Sequence, residues 1–175
     1  MTVRTVIVGF LETNCYLLSE KSDGEAVIID PGSDASKIFK AVEQKALKPS
    51  KILLTHGHHD HTGAMRETAE KYGIPILLHE EEANSMSIPV SERSEYSEGN
   101  GAVFQVLADG DRIKLGGFTI EVLFTPGHTP GGVSYRSGNI CFTGDTLFCD
   151  GVGRTDFAGG NQRQLIGSIK AKLMP

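Results

Sequence analysis

The sequence predicts an α/β fold of layered strands and helices, and two features of the chain point to it. In the first half, apolar strand-like runs alternate with segments of helical periodicity, a pattern typical of strands that pair in parallel. In the second half, short strand-like runs follow one another with Asp-Gly and Gly-Gly pairs between them, as in antiparallel hairpins. Because 175 residues suffice for one hydrophobic core, we expect residues 1–175 to form a single domain.

Strands and helices alternate in the first half of the chain. Ser33 follows the third predicted strand and is the expected cap of a helix, because Ile38 and Val42 then recur at helical spacing. A second helix is predicted over residues 64–72, where Gly73 ends the pattern. The predicted strands of this half have the sequences TVIVGF, NCYLLSE, AVIID, KILLTH and IPILLH.

The second half begins with a segment that has few apolar residues. Residues 84–101 are rich in Ser and Glu, so we expect a long, mobile loop there. A helix is predicted over residues 162–173, because Leu165, Ile169 and Leu173 recur at helical spacing. Between this loop and this helix, the predicted strands have the sequences AVFQVL, DRIKL, FTIEVLFT, GGVSYR and NICFTGD.

Composition and charge exclude several classes of protein. The net charge is −5 and the basic residues form no run, so we expect no nucleic-acid partner. The apolar runs are far shorter than a membrane span, and the N-terminus lacks the apolar core of a signal peptide. We therefore expect no membrane partner and a cytoplasmic location. Cys15, Cys141 and Cys149 lack the spacing of a disulfide framework and are expected to be reduced.

Four of the six histidines lie in the stretch THGHHDH, residues 55–61, directly after a predicted strand. In a helix, His56 and His58 would point about 200° apart, but in an extended loop their rings can converge. Two imidazoles make half of a tetrahedral zinc shell, and Asp60 with His61 offers a second, mixed group of ligands. So many ligands in one loop predict two metal ions side by side. A terminal tag or a solvated loop would not follow a buried strand in this way.

Two later segments supply the ligands that this loop lacks. In LFTPGHTPGG, His128 follows a predicted strand in a turn that is stiffened by Pro and Gly on both sides. In NICFTGDTLF, Asp145 directly follows another apolar strand. His128 would complete a three-histidine group, and the Asp145 carboxylate could bridge to a second ion.

These segments, with GVGRTDFAGG, resemble the metallo-β-lactamase superfamily and, more narrowly, its glyoxalase II-like hydrolases. The resemblance implies an αββα sandwich with its site at one edge, between the two sheets. It assigns one ion to His56, His58 and His128, a second ion to Asp60 and His61, and the bridging position to Asp145.

One position of that family is absent from this sequence. Such hydrolases carry a further histidine for the second ion, after a helix that resembles QLIGSIKAKLMP, whereas no histidine follows Asp145 here. We therefore expect a sandwich of the metallo-β-lactamase type that lacks its C-terminal strand and helix, with the second ion bound more weakly.

The remaining polar candidates are assigned to supporting positions. His59 is expected either to point outward or to support a metal ligand from behind, and His79 is expected to be a packed or capping residue. Asp30 either orients a metal-binding histidine or is a turn residue before Pro31. Arg154 and Asp156 are expected to form a buried pair that shapes the loop beside the site.

The resemblance implies a hydrolase that attacks a small-molecule thioester, such as an S-acylglutathione, with a metal-bound hydroxide. Asp60 is its expected catalytic residue, which orients the nucleophile or accepts its proton. The ions are expected to be Zn²⁺, with Fe or Mn as alternatives, because His and Asp ligands suit all three.

Three other interpretations of the function stay open. Persulfide dioxygenases of the same fold use one iron, which His56, His128 and Asp145 would hold here. In the second interpretation, the chain is a non-catalytic remnant that binds metal for structure or not at all. A true β-lactamase is the third, although Cys149 does not fall where many of those enzymes place a metal-binding cysteine.

Overall fold

The computed structural model describes residues 1–96 and 103–175 and contains two β-sheets packed face to face. The larger sheet has the strand order β1-β2-β3-β4-β5-β7-β6, and the smaller has the order β11-β10-β9-β8. The larger sheet consists of β1 (Thr2–Val8), β2 (Thr13–Ser19), β3 (Glu25–Ile29), β4 (Lys48–Leu53), β5 (Ile76–His79), β6 (Arg93–Glu95) and β7 (Phe104–Leu107). The smaller sheet consists of β8 (Arg112–Leu115), β9 (Phe118–Phe124), β10 (Val133–Ser137) and β11 (Ile140–Phe142).

Five α-helices accompany the sheets in the described part of the chain. They are α1 (Ala35–Glu43), α2 (His59–Thr62), α3 (Met65–Tyr72), α4 (Glu80–Ser85) and α5 (Gln162–Ser168). A π-helical turn, Ile169–Leu173, continues α5, and two short 3₁₀ turns span Val90–Glu92 and Gly144–Thr146. No helix within the described residues has the length and apolar character that crossing a membrane requires.

The principal core lies between the two sheets. Alternate strand residues point inward, so the larger sheet contributes Val27, Ile29 and Leu53, which are fully buried. The smaller sheet contributes Ile120 and Tyr135 to the same cluster. The hydroxyl of buried Tyr135 also donates to the carbonyl of Leu54, 2.7 Å away, which ties the second sheet to the end of β4.

A second core covers the outer face of the larger sheet. It contains Ile28 and Ile52 from the strands, Ile38 and Val42 from α1, and Ala69 from α3. On the other side of the molecule, α5 lies beside the smaller sheet, and Ser168 Oγ donates to the carbonyl of Pro126 at 2.7 Å. The layers follow the αββα order, which confirms the predicted fold class.

The site lies at one edge of the larger sheet because its inner strands run in one direction. Strands β3, β4, β5 and β7 pair in parallel, so their carboxyl ends meet at the same edge. Asp30 follows β3, His56 lies just beyond β4, and α4 begins directly after β5. From the smaller sheet, the loop after β9 brings His128 to the same edge. The backbone N–H of Val133 donates to the carbonyl of Thr55 there, at 2.9 Å.

Two details of the predicted secondary structure are wrong. The capping residue of α1 is Asp34, not Ser33; Asp34 has a left-handed backbone and its carboxylate accepts the N–H of Gly9 instead of capping the helix. Residues 84–96 are not one continuous loop, because they include the end of α4, a 3₁₀ turn and β6. Residues 97–101 of the expected loop lie outside the described residues, and its mobility stays a prediction.

Candidate metal centre

The loop between β4 and α2 brings the rings of His56 and His58 together. Both residues precede the helix, and His58 has an extended backbone with φ −64° and ψ 147°. Because the chain is extended there, the rings converge to 4.7 Å between centroids, as the sequence predicted. His56 Nε2 lies 3.1 Å from His58 Nδ1.

His128 reaches the same point from the opposite sheet. Its Nδ1 lies 2.7 Å from the carbonyl oxygen of Arg154, and a carbonyl can only accept, so Nδ1 carries the proton. Nε2 is then left with a free lone pair, and it lies 2.9 Å from His58 Nδ1. A backbone carbonyl therefore fixes both the ring orientation and the tautomer of His128.

A hydrogen-bond chain fixes the ring of His56 in a similar way. The Thr55 hydroxyl donates to Asp30 Oδ2 at 2.7 Å, so its oxygen is free to accept the Nδ1 proton of His56, 3.1 Å away. Nε2 of His56 then presents its lone pair to the other two histidines.

The three histidines fit a metal ion. The ligand nitrogens of His56, His58 and His128 form a group within 4.8 Å of one another. The closest pairs are 2.9 and 3.1 Å apart, near the separation of about 3.3 Å between nitrogens in a tetrahedral zinc shell. Nitrogen ligands of this kind suit zinc and iron alike.

The surroundings of two of these histidines, His56 and His58, favour the neutral ring. Burial lowers the pKa of His56 well below its ordinary value of 6.5, and the neighbouring histidines lower it further. Burial and His128 also lower the pKa of His58, which outweighs the opposing effect of Asp60 and Asp145. Since a metal binds only the unprotonated nitrogen, this environment favours metal over proton at His56 and His58.

His61 lies beside this group in the opposite electrostatic environment. Its Nε2 lies 3.2 Å from Asp145 Oδ1 and 3.4 Å from Asp60 Oδ2, and its Nδ1 lies 3.0 Å from Asp30 Oδ2. Burial lowers the pKa of His61, but the carboxylates of Asp30 and Asp145 outweigh burial and raise that pKa to about 10. In the metal-free protein, His61 is therefore protonated at neutral pH.

Asp145 faces both groups, as a bridging residue must. Oδ1 approaches His61 Nε2, while Oδ2 lies 3.5 Å from His128 Nε2. Burial raises the pKa of Asp145, but the hydrogen bond and charge of His61, together with His128 and His58, lower it overall. Gly144, which precedes it, has φ +48°, and a Cβ there would lie 2.3 Å from Thr55 Oγ1. Glycine is thus required for the turn that delivers Asp145.

Asp30 orients His61, which decides between the two roles that the sequence left open. It is 2% exposed, and its two oxygens accept from the backbone N–H of Thr55, the Thr55 hydroxyl and His61 Nδ1. One carboxylate therefore holds His61 directly and His56 through Thr55, a position that carboxylates commonly occupy behind metal-binding histidines.

Asp60 lies at the wall of an open cavity beside His61. The hydroxyl of Thr13, on β2, donates to Asp60 Oδ2 at 3.2 Å, which positions the carboxylate. The cavity has a volume of about 450 Å³. Its lining includes the acidic groups Asp30, Asp60 and Asp145, and the apolar side chains Leu11, Leu147 and Phe148.

The other candidates divide as follows. His59 is exposed, which agrees with the first of its two predicted positions. His79 is packed and caps a helix, as predicted: its ring stacks on Phe124 at 4.2 Å, and its Nδ1 accepts the N–H of Glu81. All three cysteines are free, as predicted.

The expected burial of the Arg154–Asp156 pair is wrong. The two side chains form a bidentate ion pair at 2.7 Å, but they are 57% and 67% exposed. What shapes the site is the backbone of this loop, through the carbonyl that holds His128. The guanidinium lies 4.0 Å from the ring centre of Phe157, and that ring packs edge-on against His58 at 5.6 Å.

Two residues at the site, Thr13 and Glu82, were not predicted from the sequence. Thr13 holds Asp60, and Glu82 of α4 contacts both histidine loops. Glu82 is one of three consecutive glutamates, and only its burial distinguishes it from its neighbours. A helix that begins at the carboxyl end of β5 was the signal that could have found it.

Comparison with known proteins agrees with this geometry. The family model for the Metallo-beta-lactamase superfamily matches residues 8–175. A probable metallo-hydrolase of Bacillus subtilis, YqgX, is 42% identical over 99% of this chain and 84% of its own length. The hydroxyacylglutathione hydrolase GloC of Haemophilus influenzae is 35% identical over all of this chain and 85% of its own length.

Solved structures show the same fold. The crystal structure of BLEG-1, a B3 metallo-beta-lactamase, superposes with a TM-score of 0.84 at 34% identity, over 99% of this chain and 86% of that one. TTHA1623, in a di-iron-bound form, superposes with a TM-score of 0.77 at 32% identity, over 98% and 86% of the two chains. These matches agree with the two groups of histidine and aspartate at the sheet edge. The chain is therefore a metallo-hydrolase of the metallo-beta-lactamase superfamily.

Proposed function

We propose that this metallo-hydrolase cleaves thioesters, with an S-acylated small thiol such as an S-acylglutathione as substrate. The observation that carries the proposal is the convergence of His56, His58 and His128 beside Asp145, a carboxylate that faces both metal groups. The similarity to a hydroxyacylglutathione hydrolase supports the thioester as the bond that is cleaved.

The residues divide the work between binding and proton transfer. The three histidines would hold one ion, His61 and Asp60 would hold the other, and Asp145 would lie between them. Ions held there would lower the pKa of a bound water and polarise a substrate carbonyl. Asp60 faces the open cavity, and its carboxylate would orient the attacking water or take up the proton that it loses.

The cavity favours recognition of the acyl group over recognition of the thiol's charges. Leu11 and Phe148, which are 67% and 48% exposed, offer apolar surface beside the site. Among the cavity's described lining residues there is no Lys or Arg to pair with the carboxylates of glutathione. We therefore expect the same acyl group to be hydrolysed from glutathione and from an uncharged thiol such as N-acetylcysteamine with KM values within about tenfold of each other.

The test is hydrolysis of S-lactoylglutathione by metal-loaded protein, followed by detection of the free thiol. The His58→Ala variant should lose activity, because it removes the nitrogen that both other histidines approach. His59→Ala is the matched control, since His59 is the exposed neighbour in the same loop. Absence of thioester hydrolysis with zinc, iron or manganese in excess would refute the proposed substrate class, and a β-lactam in the same panel tests the activity named for BLEG-1.

A second candidate function is a mononuclear iron dioxygenase that acts on a persulfide. The observations that favour it are that Asp145 Oδ2 lies 3.5 Å from His128 Nε2 and that the ring centroids of His128 and His56 are 4.8 Å apart. Two histidines and one carboxylate are a set of ligands that suits non-haem iron. Metal content separates the two candidates. Two equivalents of metal with thioesterase activity support the hydrolase, whereas one equivalent of iron with oxygen consumption on glutathione persulfide supports the dioxygenase.

A further inference from the structure

Glu82 connects the two loops that carry the three histidines, although it is 25 residues away from Gly57 and 47 from Thr129 in the chain. It lies in α4 and is 2% exposed. Its Oε1 accepts the backbone N–H of Gly57, the residue between His56 and His58, at 2.7 Å. Its Oε2 accepts the backbone N–H of Gly131 at 3.0 Å and the hydroxyl of Thr129, the residue after His128, at 2.9 Å.

These hydrogen bonds also constrain the positions of the two loops relative to each other. A carboxylate is planar and rigid, so accepting at both oxygens fixes the distance between the two loops. Because the group is buried, its three donors also offset the cost of removing it from water. Loss of Glu82 would leave two backbone N–H groups in a buried site without their acceptor.

Two glycines show how closely α4 fits between the loops. A Cβ at Gly57 would lie 2.6 Å from Met86 Cγ and 3.0 Å from Glu82 Oε1. A Cβ at Gly131 would lie 2.2 Å from the backbone nitrogen of Glu82. The backbone of each loop therefore packs directly against the helix, and side chains at these positions would push the helix and the loops apart.

We propose that Glu82 is a positioning residue that sets the separation of the His56–His58 loop from the His128 loop, and so preassembles the three-histidine metal group. Glu82 contacts neither the metal-facing nitrogens nor the cavity. It acts through Gly57 and Thr129, each of which is covalently next to a histidine of the group. This inference rests on the proposed metal site but on no particular substrate.

The variant that tests it is Glu82→Gln, which keeps the shape of the side chain. Whichever way the amide is turned, its NH₂ faces a backbone N–H, of either Gly57 or Gly131, so one link between the loops is lost. Glu81→Gln is the matched control, because Glu81 is the exposed neighbour in the same helix. The first readout is the affinity for one equivalent of zinc, measured by competition with a chelator.

We expect Glu82→Gln to bind this zinc about 10- to 100-fold more weakly, the usual cost of losing a residue that orients a metal ligand. Glu81→Gln should bind as the wild type does. The second readout is the visible spectrum of the protein with one equivalent of Co²⁺, which should change in Glu82→Gln because the ligand geometry changes. A general loss of stability would lower the melting temperature of the metal-free protein but would leave both readouts unchanged.

Thr129 provides a second route if Glu82→Gln does not fold. Thr129→Ala removes one of the two donors to Glu82 Oε2 and should weaken zinc binding by less than Glu82→Gln does. Thr129→Ser keeps the hydroxyl and should bind zinc as the wild type does. In the double variant, the two effects should not add, because they break the same link. Additive effects in that cycle would contradict the proposal.

The failure of this inference is distinguishable from failure of the proposed function. A wild-type protein that binds no zinc, iron or manganese would refute the metal site itself. A wild type that binds zinc, together with a Glu82→Gln variant of equal affinity and an unchanged cobalt spectrum, would overturn only the role of Glu82.

Discussion

The two halves of the metal centre use the same side chain in opposite charge states. In the three-histidine group, burial and neighbouring rings lower the pKa of His56 and His58, so each ring is neutral and keeps one nitrogen with a free lone pair. A few ångströms away, Asp30 and Asp145 hold His61 as a cation with a pKa of about 10. The rings of His56 and His61 are only 4.2 Å apart, so the difference comes from their immediate partners and not from their place in the fold.

The partners differ in kind as well as in charge. Neutral groups hold the first half: the Thr55 hydroxyl faces His56, and the Arg154 carbonyl faces His128. Carboxylates surround His61 on both ring nitrogens. A metal ion entering the first half meets free lone pairs, whereas one entering the second half must displace a proton. We therefore expect the first half to fill first at neutral pH.

The largest effect should come from removing a ligand of each half in turn. His128→Ala should weaken binding of the first zinc by more than about 100-fold, since residues that only orient ligands already contribute 10- to 100-fold. His61→Ala should abolish binding of a second ion and leave the three-histidine group intact. Metal content after dialysis against a chelator of intermediate strength measures both. Loss of all metal from His61→Ala would show that the two halves do not bind separately.

A smaller effect should follow from Asp30→Asn, which keeps the shape of Asp30 but removes its charge. The variant should weaken the second ion by about 10- to 100-fold, because Asp30 orients His61. It should also lower the free energy of unfolding by about 1–3 kcal/mol, since the new NH₂ opposes one of the donors that Asp30 now accepts.

Asp23→Asn, at an exposed turn, is the control for this substitution and should change neither quantity. Titration calorimetry with zinc separates the two binding steps. An Asp30→Asn protein that weakens the first step more than the second would reverse the assignment of Asp30 to the His61 half.

The parts of the site that a sequence can predict are those that depend on local patterns in the chain. The ligand types and their order along the chain are local information, so the sequence led to His56, His58, Asp60, His61, His128 and Asp145, and the structure brings all six to one sheet edge. Their roles as metal ligands stay predictions. The αββα layers also followed from local patterns, because alternation of strand and helix leaves few ways to cover two sheets.

What the sequence missed depends on contacts between distant segments. Glu82 is one of three consecutive glutamates, and only the packing of α4 against Gly57 and Gly131 decides which of them points inward. Arg154 and Asp156 form the predicted ion pair, but their side chains lie on the surface. The contact with His128 is made by the backbone carbonyl of Arg154 and does not require its side chain to be buried. Helix α1 begins after Asp34 and not after Ser33, because the Asp34 carboxylate accepts the backbone N–H of Gly9, which is 25 residues away.

The smallest effect concerns pH and the protonated state of His61. Its pKa is about 10 in the folded, metal-free protein and near 6.5 when unfolded. A raised pKa stabilises the fold fully below pH 6.5, and this contribution is lost as the pH rises through 10. The unfolding free energy of the metal-free protein should fall from about pH 7.5 to 9, by at most about 1.4 kcal/mol, a factor of ten, per pH unit.

Denaturant titrations of metal-free wild type and His61→Asn across this range make the test. Buried Cys15 also destabilises the fold in alkali, because burial raises the pKa of its thiol, but that effect begins only above its ordinary value of 9.0. The lowered pKa values of His56 and His58 change the stability only up to about pH 7.5, one unit above their ordinary value of 6.5. From about pH 7.5 to 9, His61→Asn should therefore be flat while the wild type declines. Equal slopes for the two proteins would mean that His61 is neutral in the metal-free fold, and the two halves would then compete for metal on equal terms.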